Sequence, residues 1–263
     1  MNLDAYAAQS DVLVTLEDGV LVLRFNRPEK KNALNAAMYT VLADALNASG
    51  DDPAVRAVLF LGGEKFFSSG NDVQEFLFNP PRDTSHPVIR FLEALATARK
   101  PLVAGVNGFA VGIGTTLLLH CDLVYAAEDA RFHLPFVSLG LCPEAGSSLL
   151  LPALAGPARA AEAVLLGKPF DAATALSWGL LNAVCPAGQA EAAAREATAA
   201  LTRQPPAAVR ASRALLRGAS PEQVVAAIHR EAAVFAERLT SPEAAEAFQA
   251  FLQHRPPDFS QFT

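Results

Sequence analysis

Residues 101–148 read PLVAGVNGFAVGIGTTLLLHCDLVYAAEDARFHLPFVSLGLCPEAGSS, and the fold is decided here. The stretch opens on an apolar strand, Leu102 to Val106, turns through glycines at 108, 112 and 114, and enters an apolar helix expected to begin near Ile113. Glycine allows a backbone tight enough for a ligand to approach closely. The first N–H groups of a helix have no intrahelical acceptor, so the turn is open to negative charge. Downstream, Glu144 stands between Pro143 and Ala145 in an otherwise apolar run, where its surroundings are hostile to an ionised carboxylate.

Outward from this stretch the order is repetitive. Val12 to Leu16 and Val20 to Phe25, separated by Asp18-Gly19, read as an antiparallel hairpin. A helix follows over 33–48, with Asn32 or Asn35 as its cap, and then a buried strand from Val55 to Leu61 that exits at Gly62-Gly63. Phe66 to Asp72 brings a second glycine turn, Ser69-Gly70-Asn71. Residues 79–87 form a proline-rich polar loop expected to be mobile, and a helix from Val88 to Ala98 leads back to Leu102. Leu123 to Ala126 and Arg131 to His133 supply further strands. The ββα, βα, βα order implies stacked α/β layers. After Ser147 the pattern is helical, with Pro, Ser or Asp near most starts and one short extended piece at Val184. We divide the chain into a core over 1–200 and a C-terminal helical region over 201–263.

The totals exclude several functions. A chain of 263 residues, 51% hydrophobic, without an apolar run of bilayer length, is a globular protein with a large core and not a membrane span. A net charge of −6 argues against a nucleic-acid binder with a generally basic surface. Cys121, Cys142 and Cys185 are odd in number and widely spaced, which points to a reducing compartment, and the N-terminus has no secretory pattern, so a cytoplasmic location is expected. The histidines at 86, 120, 133, 229 and 254 lack metal-ligand spacing, so no metal is expected. Gly112-Ile113-Gly114-Thr115-Thr116-Leu117 is an incomplete dinucleotide pattern, because Leu117 takes the third glycine's place. No serine lies in a nucleophile elbow. Ser147 and Ser148 read as caps of the next helix, Cys142 as a structural thiol, and His133 as a hydrogen-bonded core residue. Two glycine turns remain, each able to aim one N–H at a single oxygen, as an oxyanion hole requires. Pattern alone leaves Glu144 between two roles, a first-turn acid facing the helix dipole and a general base raised by an apolar pocket.

The motifs F-S-S-G-N-D (67–72), N-G-F-A-V-G-I-G (107–114), H-C-D-L-V-Y-A (120–126) and F-H-L-P-F-x-x-L-G-L-C-P-E-A-G-S-S (132–148) together resemble the crotonase, or enoyl-CoA hydratase/isomerase, superfamily. The resemblance covers nearly the whole chain. It implies an α/β fold with a ββα spiral core, a helical C-terminal region, and assembly as a homotrimer or a dimer of trimers. The implied substrate is an acyl-CoA thioester, and no separate cofactor is implied. The resemblance also implies an oxyanion hole formed by the N–H groups of Asn71 and Ile113. Further substrate contacts are expected at Ser69, Gly70, Asp72, Val73 and Gly112, with Phe136, Leu139 and Leu141 lining the acyl pocket. Arg27, Lys30 and Lys31 are candidates for the CoA phosphates, beside the plain reading of a solvated basic turn. Hydratases of this superfamily resemble one another in carrying two catalytic glutamates, and the matching positions here hold Thr116 and Phe136. Pro143-Glu144-Ala145-Gly146-Ser147 is instead similar to the Δ3,Δ2-enoyl-CoA isomerase branch, where one glutamate is the base, with Ala145 where glycine is commoner. Other reactions on a CoA thioester, or a silent acyl-CoA binder, are the alternatives.

Overall fold

The structure is a computed structural model that describes residues 3–6, 10–78 and 85–262. Most of the polar loop expected over 79–87 lies outside the described residues.

β1 (Val12–Glu17) and β2 (Val20–Phe25) form the expected hairpin, turning through Asp18 and Gly19 with φ of 50° and 82°. α1 (Ala36–Asp51) starts at Asn35, whose side chain accepts from the Met38 N–H at 2.8 Å; of the two asparagines expected as cap, Asn32 has another task. Three strand pairs follow. β3 (Ala57–Leu61) leads into β4 (Phe66–Ser68), β5 (Leu102–Val106) into β6 (Phe109–Val111), and β7 (Leu123–Ala127) into β8 (Arg131–His133). The later strands are β9 (Phe170–Asp171) and β10 (Ala183–Cys185). In each pair the first strand joins a six-stranded sheet, ordered β1-β2-β3-β5-β7-β10, and the second joins a four-stranded sheet, ordered β4-β6-β8-β9. Apart from β1–β2 and β8–β9 the pairings are parallel, so the chain climbs as a spiral.

Alternation along the strands sends Leu21, Leu23, Val58 and Phe60 into the main core, with Met38 and Leu42 of α1. Val20, Val22, Leu59, Leu61 and Val103 face the other way, under α8 (Ala190–Thr202). Gly105 lets α8 close on the sheet, since a Cβ there would lie 3.0 Å from the Ala194 Cβ.

α3 (Pro87–Thr97) precedes β5. The helix expected near Ile113 is short: α4 (Ile113–Thr116) is one α-turn, continued as a 3₁₀ turn over Leu117–His120. The helical part comprises α5 (Ser147–Ala155), α6 (Pro157–Leu165), α7 (Ala172–Ser177), α8, α9 (Pro206–Leu216), α10 (Pro221–Leu239) and α11 (Pro242–Leu252). α10 does not stand apart from the core: it packs on α3 and α5. Among the described residues no helix is long and apolar enough to cross a membrane.

Candidate active site

The first wall of the site is a polar clasp between two loops. Asn32, 2% exposed with φ of 56°, accepts from the Arg27 N–H at 2.8 Å and donates to the Phe66 and Phe67 carbonyls at 2.9 and 3.3 Å. Ser68 Oγ donates to the Asn32 carbonyl and accepts from the Gly70 N–H. Ser69, half-buried, donates from its N–H to the Lys31 carbonyl at 3.0 Å. Arg27 Nη1 meets Asp72 Oδ2 at 2.7 Å, with both side chains about 15% exposed (15% and 14%). Burial acts to raise the Asp72 carboxyl, but its bond to Arg27 and the guanidinium charge outweigh this and hold it below the usual range. The other Asp72 oxygen accepts from Gln74 and Glu75 at the start of α2 (Val73–Phe78).

The clasp holds several of the residues expected to contact substrate. Arg27 and Asp72, both expected as substrate contacts, are paired with each other here, and Arg27 also lies near the carboxylates of Asp11 and Glu29. Lys30 and Lys31 are exposed, with the Lys31 ammonium 5.4 Å from the centre of the Phe66 ring, and Val73 is half-buried at the head of α2.

Within the clasp the Asn71 backbone is fixed by its neighbours. Leu34 N–H donates to Gly70 O at 2.8 Å and Asp72 N–H donates to Leu34 O at 2.9 Å, so extended alternation turns the Asn71 amide away from this bridge. That amide has no acceptor among the described residues. The Asn71 side-chain oxygen accepts from the Tyr39 hydroxyl. Burial, with the charges of Glu144 and Glu75, pushes the Tyr39 phenol well above its ordinary value, which keeps it a donor.

The second turn abuts the first. Gly70 has φ of 95°, and a Cβ there would lie 3.1 Å from the Val111 carbonyl oxygen. Gly112 has φ of 54°; a Cβ on it would come within 3.9 Å of Gly70 Cα. Its N–H donates to the His133 carbonyl, leaving Ile113 as the first helical residue, whose amide has no intrahelical acceptor. Gly114 answers to packing, because a Cβ there would lie 2.8 Å from the Ser68 carbonyl oxygen.

Glu144 enters from the third direction. It is 8% exposed, and Thr116 Oγ1 donates to its Oε1 at 2.5 Å. Burial raises its carboxyl to about 8 against the lowering effect of the Thr116 bond, with the Glu231 charge adding to the rise. The turn that follows is left-handed at two residues, Ala145 (φ 60°) and Gly146 (φ 71°), and the first carries a Cβ that costs roughly 1 kcal/mol there. Two buried side chains hold it. His120 Nε2 donates to the Ala145 carbonyl at 2.8 Å, and burial drives that imidazole down to about 4, so it is neutral. Glu231 of α10 accepts from the Gly146 N–H at 2.6 Å and the Ser148 N–H at 2.8 Å. The start of α5 is therefore capped by a distant carboxylate and not by the Ser147 or Ser148 hydroxyls.

A cavity of about 360 Å³, including its open mouth, is lined by Asn71, Glu144, Ala145, Val88, Ile89 and Leu92 of α3, and Ile228, Ala232 and Phe235 of α10. Glu144 is the ionisable side chain among these. Phe136, Leu139 and Leu141, expected in the acyl pocket, are absent from this lining. Their segment forms a tight turn, with Leu139 and Leu141 N–H both donating to the Phe136 carbonyl, and it packs on α11 so closely that a Cβ on Gly140 would sit 2.7 Å from the Ala244 nitrogen. The division at residue 200 is not a division of the site, because α10 supplies three of its lining residues.

The enoyl-CoA hydratase/isomerase family model matches residues 15–262. The chain belongs to this family. Human enoyl-CoA delta isomerase 2 is 36% identical over 93% of the chain, which spans 64% of that relative's length. The 2,3-dehydroadipyl-CoA hydratase of Escherichia coli is 34% identical, covering 95% of the chain and 98% of the relative. Among solved structures, Pseudomonas aeruginosa OdaA superposes with a TM-score of 0.90 at 46% identity, covering 93% of this chain and 99% of that one. The crotonase fold is thus shown by relatives at substantial identity.

Within this family member, sequence reasoning missed Tyr39, Thr116 as a donor, and Glu231. Glu231 had a signal: it occupies the apolar face that Val224, Ala227, Ile228 and Phe235 define on α10. A carboxylate in that register has to find donors. Tyr39 had a weaker one, a hydroxyl on the buried face of α1.

Proposed function

We propose that this protein is a Δ3,Δ2-enoyl-CoA isomerase that uses Glu144 as its single acid–base group. One observation carries the reading: among the described residues Glu144 is the ionisable side chain lining the cavity, to which Asn71 also contributes, and Thr116 and Phe136, at the positions where the resemblance places the two hydratase glutamates, carry no acid. The C2 proton of a 3-enoyl-CoA passes to the Glu144 carboxylate, and the electron pair moves onto the thioester oxygen. That oxygen rests against the N–H groups of Asn71 and Ile113, each contributing on the order of 3 kcal/mol to the barrier reduction. The carboxyl then returns the proton to C4 as the double bond settles between C2 and C3. Val88, Ile89, Leu92, Ile228 and Phe235 exclude water, which favours proton return over hydration.

The second reading is hydration, favoured by the hydratase relative that matches over nearly its full length. Side-by-side assays of 3-enoyl-CoA and 2-enoyl-CoA decide between them. The expected result is double-bond migration without water addition; efficient hydration of the 2-enoyl thioester with no migration overturns the isomerase. Binding of both thioesters without turnover of either leaves an acyl-CoA binder.

A further inference from the structure

We propose that Glu231 is a positioning residue for Glu144: arriving from α10 in the C-terminal region, its carboxylate clamps the Ala145–Gly146 turn and sets both the direction and the electrostatic surroundings of the base. The inference rests on the reading of Glu144 as the general base.

The geometry is specific. Glu231 is 6% exposed, and its two oxygens are divided between two amides, Oε2 taking Gly146 N–H at 2.6 Å and Oε1 taking Ser148 N–H at 2.8 Å. Gly146 is pressed by the same helix, since a Cβ there would lie 3.1 Å from Val224 Cγ1. Opposite this clamp, His120 holds the Ala145 carbonyl, so the two residues after Glu144 are gripped from two elements that are far apart in sequence. A carboxylate suits this task because it accepts two hydrogen bonds in a fork, whereas an amide of the same shape accepts at one end only.

The charge also reaches the base. Glu231 is among the groups that raise the Glu144 carboxyl, against the bond from Thr116. The other titratable groups nearby do not replace this effect. Cys142 is a thiol raised to about 11, mainly by burial, and Tyr39 and His120 are neutral. Of the charged groups between α10 and the helices packed on it, Arg238 of α10 is occupied by Glu243 of α11, and Glu93 of α3 pairs with His229 of α10 at 2.6 Å.

Glu231→Gln tests the proposal by the pH profile of kcat/KM with 3-enoyl-CoA, beside Glu144→Gln and the exposed-helix control Glu237→Gln. The expected result is a plateau lowered about tenfold or more by the loosened turn. Its acid limb moves to lower pH by about half a unit or more as the neighbouring charge disappears, while Glu237→Gln keeps the wild-type profile. An acid limb that stays in place, with or without a fall in melting temperature, reduces Glu231 to a helix cap and overturns the proposal. Should Glu231→Gln not fold, Glu231→Asp serves: it retains the charge, so it is expected to lower the plateau with the limb unmoved, and an unchanged plateau overturns the proposal. Full activity in Glu144→Gln defeats the base reading itself, whereas a dead Glu144→Gln with an unshifted Glu231→Gln defeats only this inference.

Discussion

Two turns face the cavity, and they are held in opposite ways. The Gly70–Asn71 turn is clasped by Arg27, Asn32 and Ser68, all from the first third of the chain, through hydrogen bonds between neighbouring loops. The Ala145–Gly146 turn is held by His120 and by Glu231, the latter separated from Gly146 by 85 positions. The first needs a rigid backbone that presents an amide, and polar bonds within and between the two adjacent loops around Arg27–Asn32 and Phe66–Asp72 suffice. The second must keep a carboxyl buried and aimed, which requires walls from several elements, so its supports come from wherever the spiral and the last helices bring them. Breaking each side in turn tells whether the difference is one of chemistry or only of location.

The largest effect is expected at the end of the second turn. Glu144→Gln keeps the shape and removes the base, so isomerisation should fall by roughly three orders of magnitude while the far-ultraviolet circular dichroism stays as it was. The same substitution reads the burial of the carboxyl. Its pKa in the folded protein, about 8, exceeds the ordinary 4.5, so the native state holds the proton more tightly than the unfolded chain between those values. That contribution is fully present below about 4.5 and is lost as the pH rises through about 8. Urea unfolding should therefore show the wild type losing stability relative to Glu144→Gln over this window, by a few kcal/mol. A constant difference between the two would mean that the carboxyl is solvated.

The first turn should fail as structure before it fails as chemistry. Arg27→Ala leaves the Asp72 carboxylate, 14% exposed, without its partner, and a loss of about 2–3 kcal/mol in unfolding free energy is expected. Asp72→Asn should cost less, because the neutral amide still accepts from Arg27. If both variants unfold like the wild type and only substrate affinity falls, Arg27 faces the CoA phosphates after all and the clasp is not what fixes Asn71.

This contrast also marks what the sequence could disclose. The hairpin, the strands of the larger sheet and most helices were legible from alternation, turn residues and caps, because those signals are local, whereas β4 and β6, three residues each beside a glycine turn, were too short to show alternation and read as turns. Glu144 and the two glycine turns stood out because a carboxylate among apolar residues and a glycine before a helix are each visible in a short window, while the roles of Glu144 and Asn71 came from the family resemblance. The walls of the cavity were not legible. Phe136 and Leu141 lie near Glu144 in sequence yet belong to a turn packed on α11, while Val88, Ile89, Ile228 and Phe235 reach it only through tertiary packing. Arg27 could be read as a phosphate ligand or as part of a solvated basic turn, and its pairing with Asp72 was not legible, because a basic turn is the same in sequence whether its charge is free or paired with a residue 45 positions later.

A smaller effect separates aim from charge at the second turn. Thr116 Oγ1 donates to Glu144 at 2.5 Å, and such a bond favours the ionised form. In Thr116→Val the carboxyl should become harder to ionise, so the acid limb of kcat/KM moves to higher pH and turnover at neutral pH falls several-fold. The direction is opposite to that expected for Glu231→Gln. The two variants together test whether the basicity of Glu144 is balanced between a donor on α4 and a charge on α10. Movement of both limbs the same way would remove that balance.

The smallest effect belongs to the first turn, and it asks whether that turn depends on its side chain. Tyr39, 1% exposed, donates its hydroxyl to the Asn71 side-chain oxygen, and its ring lies 5.5 Å from that of Phe91. Tyr39→Phe keeps the ring packing and deletes one hydrogen bond, so a stability loss of about 1 kcal/mol is expected. The Asn71 amide is already directed by Leu34 on the backbone side, through bonds that the substitution does not touch. Turnover should therefore change by no more than about tenfold even though the hydroxyl sits one side chain from the site. A fall comparable to that of Glu144→Gln would place the hydroxyl in the reaction itself and make the first turn as dependent on remote side chains as the second.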